Sequence, residues 1–270
     1  MFDATLWFAA LGVLAAFAFA GWLLSLRLRD VSIVDSLWSL MFVLAAATYA
    51  WLADGALDAR GVLVLVLVTA WALRLAGYIA WRNHGLGEDF RYRKIRAANE
   101  PHFEFKSLYL VFGLQALLAA VISLPLLAAV NSDRPLGPLD YAGAALWLLG
   151  FVFEAGGDWQ LARFKARPEN RGRVMDRGFW RYTRHPNYFG DFCVWWGFYL
   201  IALSAGGAWS IAGPLLMSVL LLRVSGVALL EKDIGERRPD YRDYVRRTNA
   251  FFPGPPRAAA APIRAEEARR

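Results

Sequence analysis

The chain has 270 residues, 57% hydrophobic and 15% aromatic, with a formal net charge of +7. A soluble chain of this length would fold as one or two domains built on amphipathic elements, but here the apolar residues run in long blocks, which excludes an ordinary soluble fold. The single cysteine, Cys193, excludes an intrachain disulfide, and three histidines without ligand spacing exclude a Cys/His metal centre.

A bilayer core takes about 20 mostly apolar residues per helical span. Seven blocks approach that length: 5–26, 33–53, 61–82, 107–130, 139–161, 187–204 and 209–231. The first is preceded by Asp3 and by no Lys or Arg, so it lacks the positive n-region of a signal peptide and reads as a retained span. Asp35 opens the second block, and Arg74 and Tyr78 sit one turn apart in the third. In the connection that follows, His84 and His102 read as solvated, and Gly85-Leu86-Gly87-Glu88-Asp89 reads as a turn. Glu154 and Asp158 are one turn apart in the fifth block, as are Asn187 and Asp191 in the sixth. Arg223 lies in the seventh, with Glu231 two turns further on. A single domain is expected over 1–255, followed by a disordered Pro- and Ala-rich tail at 256–270.

Basic residues set the orientation. Of the 30 Lys and Arg, 26 fall in connections on one side of the spans. Arg60 and Arg134 fall on the other side, and Arg74 and Arg223 lie within spans. The alternation survives only if all seven blocks cross, which predicts an all-α bundle of seven transmembrane helices, N-terminus outside and C-terminus cytoplasmic. The charge is then topogenic, and no nucleic-acid partner is expected. The cytoplasmic connections are the longer and more polar ones, so that face is expected to carry the function.

An ionisable group within a span is costly unless paired or hydrated. Several at one depth imply a polar cavity open to the cytoplasm; the plainer reading is a set of structural ion pairs or snorkelling side chains. The densest stretch runs from Asp176 to Asp191, where arginines alternate with aromatics before Pro186 starts a helix. A helix N-terminus among guanidinium groups suits phosphate. The aromatic faces beside it could stack a nucleobase or carry the apolar part of a ligand. An interfacial segment meeting lipid phosphates is the alternative.

The run Arg177-Gly178-Phe179-Trp180-Arg181-Tyr182-Thr183-Arg184-His185-Pro186-Asn187-Tyr188-Phe189-Gly190-Asp191 resembles the C-terminal signature of the steroid 5α-reductase superfamily. It is similar above all to a large bacterial branch of unassigned function. Arg223, Glu231-Lys232-Asp233, Tyr241-x-x-Tyr244, Asn249-x-Phe251-Phe252-Pro253 and the Trp81–Asp89 segment extend the resemblance over 1–255. It implies an inner-membrane reductase using NADPH from the cytoplasmic side to saturate a carbonyl-conjugated C=C bond in a lipophilic substrate. Asp158, Asn187, Asp191 and Arg223 would hold the dinucleotide, and Arg171 and Arg173 its phosphates. Glu154, Lys165, Tyr182, Arg184, His185, Tyr188, Glu231, Tyr241 and Tyr244 complete the cofactor set. If Arg74 matches the family's helix-three arginine, the family's catalytic tyrosine position reads Trp71, so the catalytic pair is taken as Asp35 and Tyr78. The Arg-His-Pro-x-Tyr-x-Gly core is shared with the isoprenylcysteine and phospholipid methyltransferases. S-adenosylmethionine is therefore the alternative cofactor, and a non-catalytic lipid-binding subunit a further alternative.

Overall fold

A computed structural model describes residues 1–53, 57–130, 132–224 and 240–257. All regular structure among them is helical. Five helices are long and apolar enough to cross a membrane: Ala4–Leu28, Val31–Leu52, Ala59–Asn83, Phe103–Ile122 and Pro138–Lys165. The sixth sequence block corresponds to the 19-residue helix Pro186–Ser204. The seventh begins as a shorter apolar helix, Ala208–Val224, and its continuation, with Glu231, lies outside the described residues, as does the tail beyond Arg257.

Helix starts follow from local chemistry. Asp3 accepts the Leu6 N–H (3.0 Å) to cap α1 (Ala4–Leu28), and Arg29 ends it in the left-handed conformation. Asp30 accepts the Ser32 N–H (2.8 Å) in the single turn that leads into α2 (Val34–Leu52). Asp58 caps α3 (Ala59–Asn83) through the Gly61 N–H at 2.7 Å. Asp89 caps α4 (Phe90–Asn99) through the Arg91 N–H at 2.8 Å. The fourth span is composite: α5 (Phe103–Ser107), a π-helical stretch Leu108–Gly113, and α6 (Leu114–Ile122). Pro125 marks the break into α7 (Leu124–Val130). Two long helices follow, α8 (Pro138–Lys165) and α9 (Pro186–Ser204), both opened by proline at the first helical position. The remaining helices are α10 (Ala212–Val219), continued by the π-helical Leu220–Val224, and α11 (Asp240–Arg247).

The described residues fall into two compact units, one comprising 1–149 and 193–218, the other 150–192 and 219–270. In the first, Trp7 Nε1 donates to Ala120 O (2.9 Å) and Trp22 Nε1 to Glu104 O (2.8 Å), tying α1 to the fourth span. Ser39 Oγ donates to Ala72 O (2.9 Å) between α2 and α3. Phe42, Trp71 and Trp195 form a buried aromatic core with ring centroids 4.5–5.8 Å apart. Arg60 is fully buried. Its Nε and Nη2 meet the two oxygens of Asp140 (2.7 and 3.0 Å). Nη1 donates to Ser132 Oγ and Arg134 O, and Nη2 also to Pro135 O. All five N–H donors of the guanidinium are thus satisfied.

In the second unit, α8 and α9 approach at glycine. A Cβ on Gly190 would lie 2.5 Å from Gly150 O, and one on Gly157 3.1 Å from Pro186 Cγ. Such backbone-level contact is what small residues permit between membrane helices.

Candidate functional site

In the second unit α8 and α9 place the acids and the carboxamide that the sequence singles out. Glu154 and Asp158 are buried at 3% and 5% exposure. Asn187, in the first turn of α9, donates from Nδ2 to Asp158 Oδ1 at 3.2 Å. Asp191 follows one turn later and is half-buried. Beyond α8, Lys165, Arg171 and Arg173 are exposed, the last two around a turn in which the Arg173 N–H donates to Asn170 O at 3.0 Å.

The signature stretch holds the C-terminal segment. Arg184 is buried, and its Nη1 donates to the carbonyls of Val245 (3.2 Å) and Thr248 at the end of α11. A cation on the last carbonyls of a helix is electrostatically favoured. The Arg184 N–H donates to Asn249 O (2.9 Å), Thr183 Oγ1 to Phe251 O (2.7 Å), and the Gly254 N–H to Tyr182 O (3.0 Å). Tyr244 OH donates to Trp180 O, and the buried Tyr241 packs its ring on Tyr244. Thr183 Oγ1 also accepts the His185 N–H (3.3 Å), and the His185 ring stacks on Tyr188 with centroids 5.7 Å apart. The Tyr182 side chain is exposed, and so is Arg223.

In the first unit Asp35 is joined by residues from the loop and helix after α3. Arg91 Nη2 donates to Asp35 Oδ2 at 2.6 Å and Tyr92 OH to Asp35 Oδ1 at 2.5 Å. Arg91 also meets Asp89 at 3.0 Å, and the Ser32 hydroxyl accepts the Asp89 N–H. Glu88 takes Arg96 on both oxygens (2.8 and 3.0 Å) and the Val31 N–H at 3.0 Å. Burial alone would raise the Glu88 carboxyl, but Arg96 and the Val31 N–H outweigh it and hold it below the usual glutamate range. Burial, reinforced by the negative charge of Asp35, pushes the Tyr92 phenol up, so Tyr92 stays a donor. Asp35 thus accepts on both of its oxygens from side chains of α4. Tyr78 turns another way: its ring lies 6.0 Å from Trp81 and under Arg82 at 5.7 Å.

A family model described as a protein of unknown function, DUF1295, matches residues 21–248. The chain belongs to this family. DUF1295 is steroid 5α-reductase-like, and the match takes in both the Asp35 cluster and the stretch that binds the C-terminal segment. An uncharacterized protein of Schizosaccharomyces pombe is similar, 27% identical over 265 residues that cover 86% of this chain and 75% of the relative. No solved structure matches the chain.

Within this DUF1295 chain the structure brings Asp158 to Asn187, His185 to Tyr188 and Tyr241 to Tyr244. Reading single residues by cost missed Arg91, Tyr92, Glu88, Arg96 and Thr183. The available signal was Glu88-Asp89 followed at once by a basic, aromatic helix. An acidic pair before such a helix can cap it and pair with it, beyond serving as a turn.

Proposed function

We propose that this protein is an NADPH-dependent membrane reductase that saturates a carbonyl-conjugated C=C bond in a lipophilic, steroid-like or other isoprenoid substrate. In this reading it has seven spans, with the N-terminus outside and the cofactor entering from the cytoplasm. The observation that carries the reading is the part-buried Asp158–Asn187 pair at the head of α9, with exposed Arg171 and Arg173 in the connection before it. That donor set fits a dinucleotide. A carboxylate and a carboxamide suit its hydroxyl and amide groups, and two exposed guanidiniums suit its phosphates.

Asp158, Asn187 and Asp191 would hold the cofactor, and the exposed Arg171 and Arg173 would meet its phosphates. When bound, the nicotinamide supplies the hydride; the protein supplies orientation and electrostatics. Tyr78 is the O–H assigned to the substrate carbonyl, where a donor stabilises developing negative charge. Asp35, fixed by Arg91 and Tyr92, holds helix α4 against the start of α2. The family match supports this reading at the level of a reductase-like membrane protein.

Calorimetric titration of the purified protein with NADPH, NADH and S-adenosylmethionine tests it. NADPH should bind at micromolar concentration, and Asp158→Ala should abolish binding. The double variant Arg171→Ala/Arg173→Ala should weaken NADPH about ten-fold more than NADH, the worth of one lost charge-assisted contact. Binding of S-adenosylmethionine without NADPH would move the chain to the methyltransferase reading. Binding of neither would favour the lipid-binding one.

A further inference from the structure

Helix α4 is bracketed by membrane spans. Residues 84–89 join it to α3 and residues 100–102 join it to α5. Fully extended, those links reach about 25 Å and about 15 Å, so α4 stays near the level at which the spans end.

Its two faces differ. One is bolted down: Tyr92 and Arg91 hold Asp35, Arg91 also holds Asp89, and Arg96 holds Glu88. Those pairs take up Asp35, Glu88 and Asp89, and the remaining neighbouring acid, Glu100, lies at the C-terminal end of the helix beyond Arg96. The other face is open. Phe90 is 45% exposed, Arg93 and Lys94 lie one turn further on the same face, and Lys94 Nζ sits 5.7 Å from the centre of the Phe90 ring. Neither Arg93 nor Lys94 makes an ion pair among the described residues. Leu86, 76% exposed, precedes the helix, and Trp81 and Phe105, also exposed, stand at the adjoining ends of the spans. Aromatic and apolar side chains interleaved with unpaired cations beside a span are the composition of a headgroup-level segment.

We propose that the open face of α4 docks on phosphate-bearing anionic lipid headgroups of the leaflet in which α3 and α5 end. Arg93 and Lys94 meet the charge, and Leu86 and Phe90 enter the boundary with the acyl chains. The surface offers two exposed cations that form no salt bridge among the described residues, the nearest acid to Arg93 being Glu88, already held by Arg96, and a layer of phosphates at the same depth is their complement. Because α4 also carries Arg91 and Tyr92, headgroup contact and the Asp35 cluster share one rigid element. The inference is independent of the reaction catalysed.

Native mass spectrometry of the full chain in detergent, titrated with dioleoylphosphatidylglycerol and separately with dioleoylphosphatidylcholine, tests it. The tightest phosphatidylglycerol should bind in preference to phosphatidylcholine. Arg93→Gln and Lys94→Gln should each weaken it about five-fold, and the double variant about 25-fold, at about 1 kcal/mol per cation. The charge-preserving Arg93→Lys/Lys94→Arg variant should retain it, which separates charge from folding. Equal binding of the two lipids would overturn the proposal, as expected if the surface serves an acidic protein instead. Unchanged phosphatidylglycerol binding by the double glutamine variant would overturn it as well.

Discussion

Asp35 stands out in the sequence because a carboxylate at the start of an apolar block is costly. What it does there is not legible, since Arg91 and Tyr92 follow it by 56 and 57 positions and no periodicity links them. Arg184 shows the converse. A guanidinium before a helix reads as a phosphate ligand, but it serves equally well on the final carbonyls of another helix, and only the fold selects between them. The Glu88–Arg96 pair carries a pH prediction. Its carboxyl is held below the unfolded value of about 4.3, so the pair contributes in full above that value and the contribution is lost as pH falls through the lower folded one. Thermal melts of wild type and Glu88→Gln should therefore differ at about pH 6 and converge by about pH 3. A difference undiminished in acid would mean that the ion pair is not its source.

The helices themselves were largely readable. The first three and the fifth apolar blocks match α1, α2, α3 and α8 to within a few residues, because length and continuity suffice. The fourth apolar block begins four residues after its helix does, since the charged Glu104 and Lys106 mask the first turn of a helix that begins at Phe103. The approach of α8 and α9 was not readable, because a glycine in an apolar run does not announce its neighbour. At Gly190 a methyl group would run into the backbone of Gly150 and Glu154, which cannot yield as a flexible side chain would. Gly190→Ala should therefore cost about 1–3 kcal/mol in a denaturation experiment. Gly77→Ala in α3, where nothing lies within 4 Å, should be neutral or gain up to about 1 kcal/mol of helix propensity. Equal effects of the two would show that close approach is not what Gly190 provides.

For the whole molecule, the asymmetry of basic residues is the sequence's account of orientation. Arg60, one of two basic residues counted on the sparse side, is buried against Asp140, which leaves Arg134 as that side's only solvent-facing cation in the count. The positive-inside reading counts charge as the chain inserts, before Arg60 is buried, so it rests on the sequence alone. Cysteine labelling checks it, and because the native Cys193 is buried, introduced thiols report alone. Asp133→Cys, in an exposed connection, should react with a membrane-impermeant maleimide in intact cells. Arg173→Cys should react only after permeabilisation. The reverse pattern would invert the topology and with it the cytoplasmic entry of the cofactor.

The Arg60 clamp also imposes an order of events on synthesis. Its partners Asp140 and Ser204 emerge 80 and 144 residues after it, so while the nascent chain elongates the guanidinium has only water and the neighbouring Asp58 for company. It can leave water once α8 is inserted, and its surroundings are complete only when α9 has been threaded. A chain stalled or misthreaded before that point would face burying a lone charge, at a cost of about 3–5 kcal/mol. The clamp therefore closes late in synthesis, after the last residue that completes it has emerged.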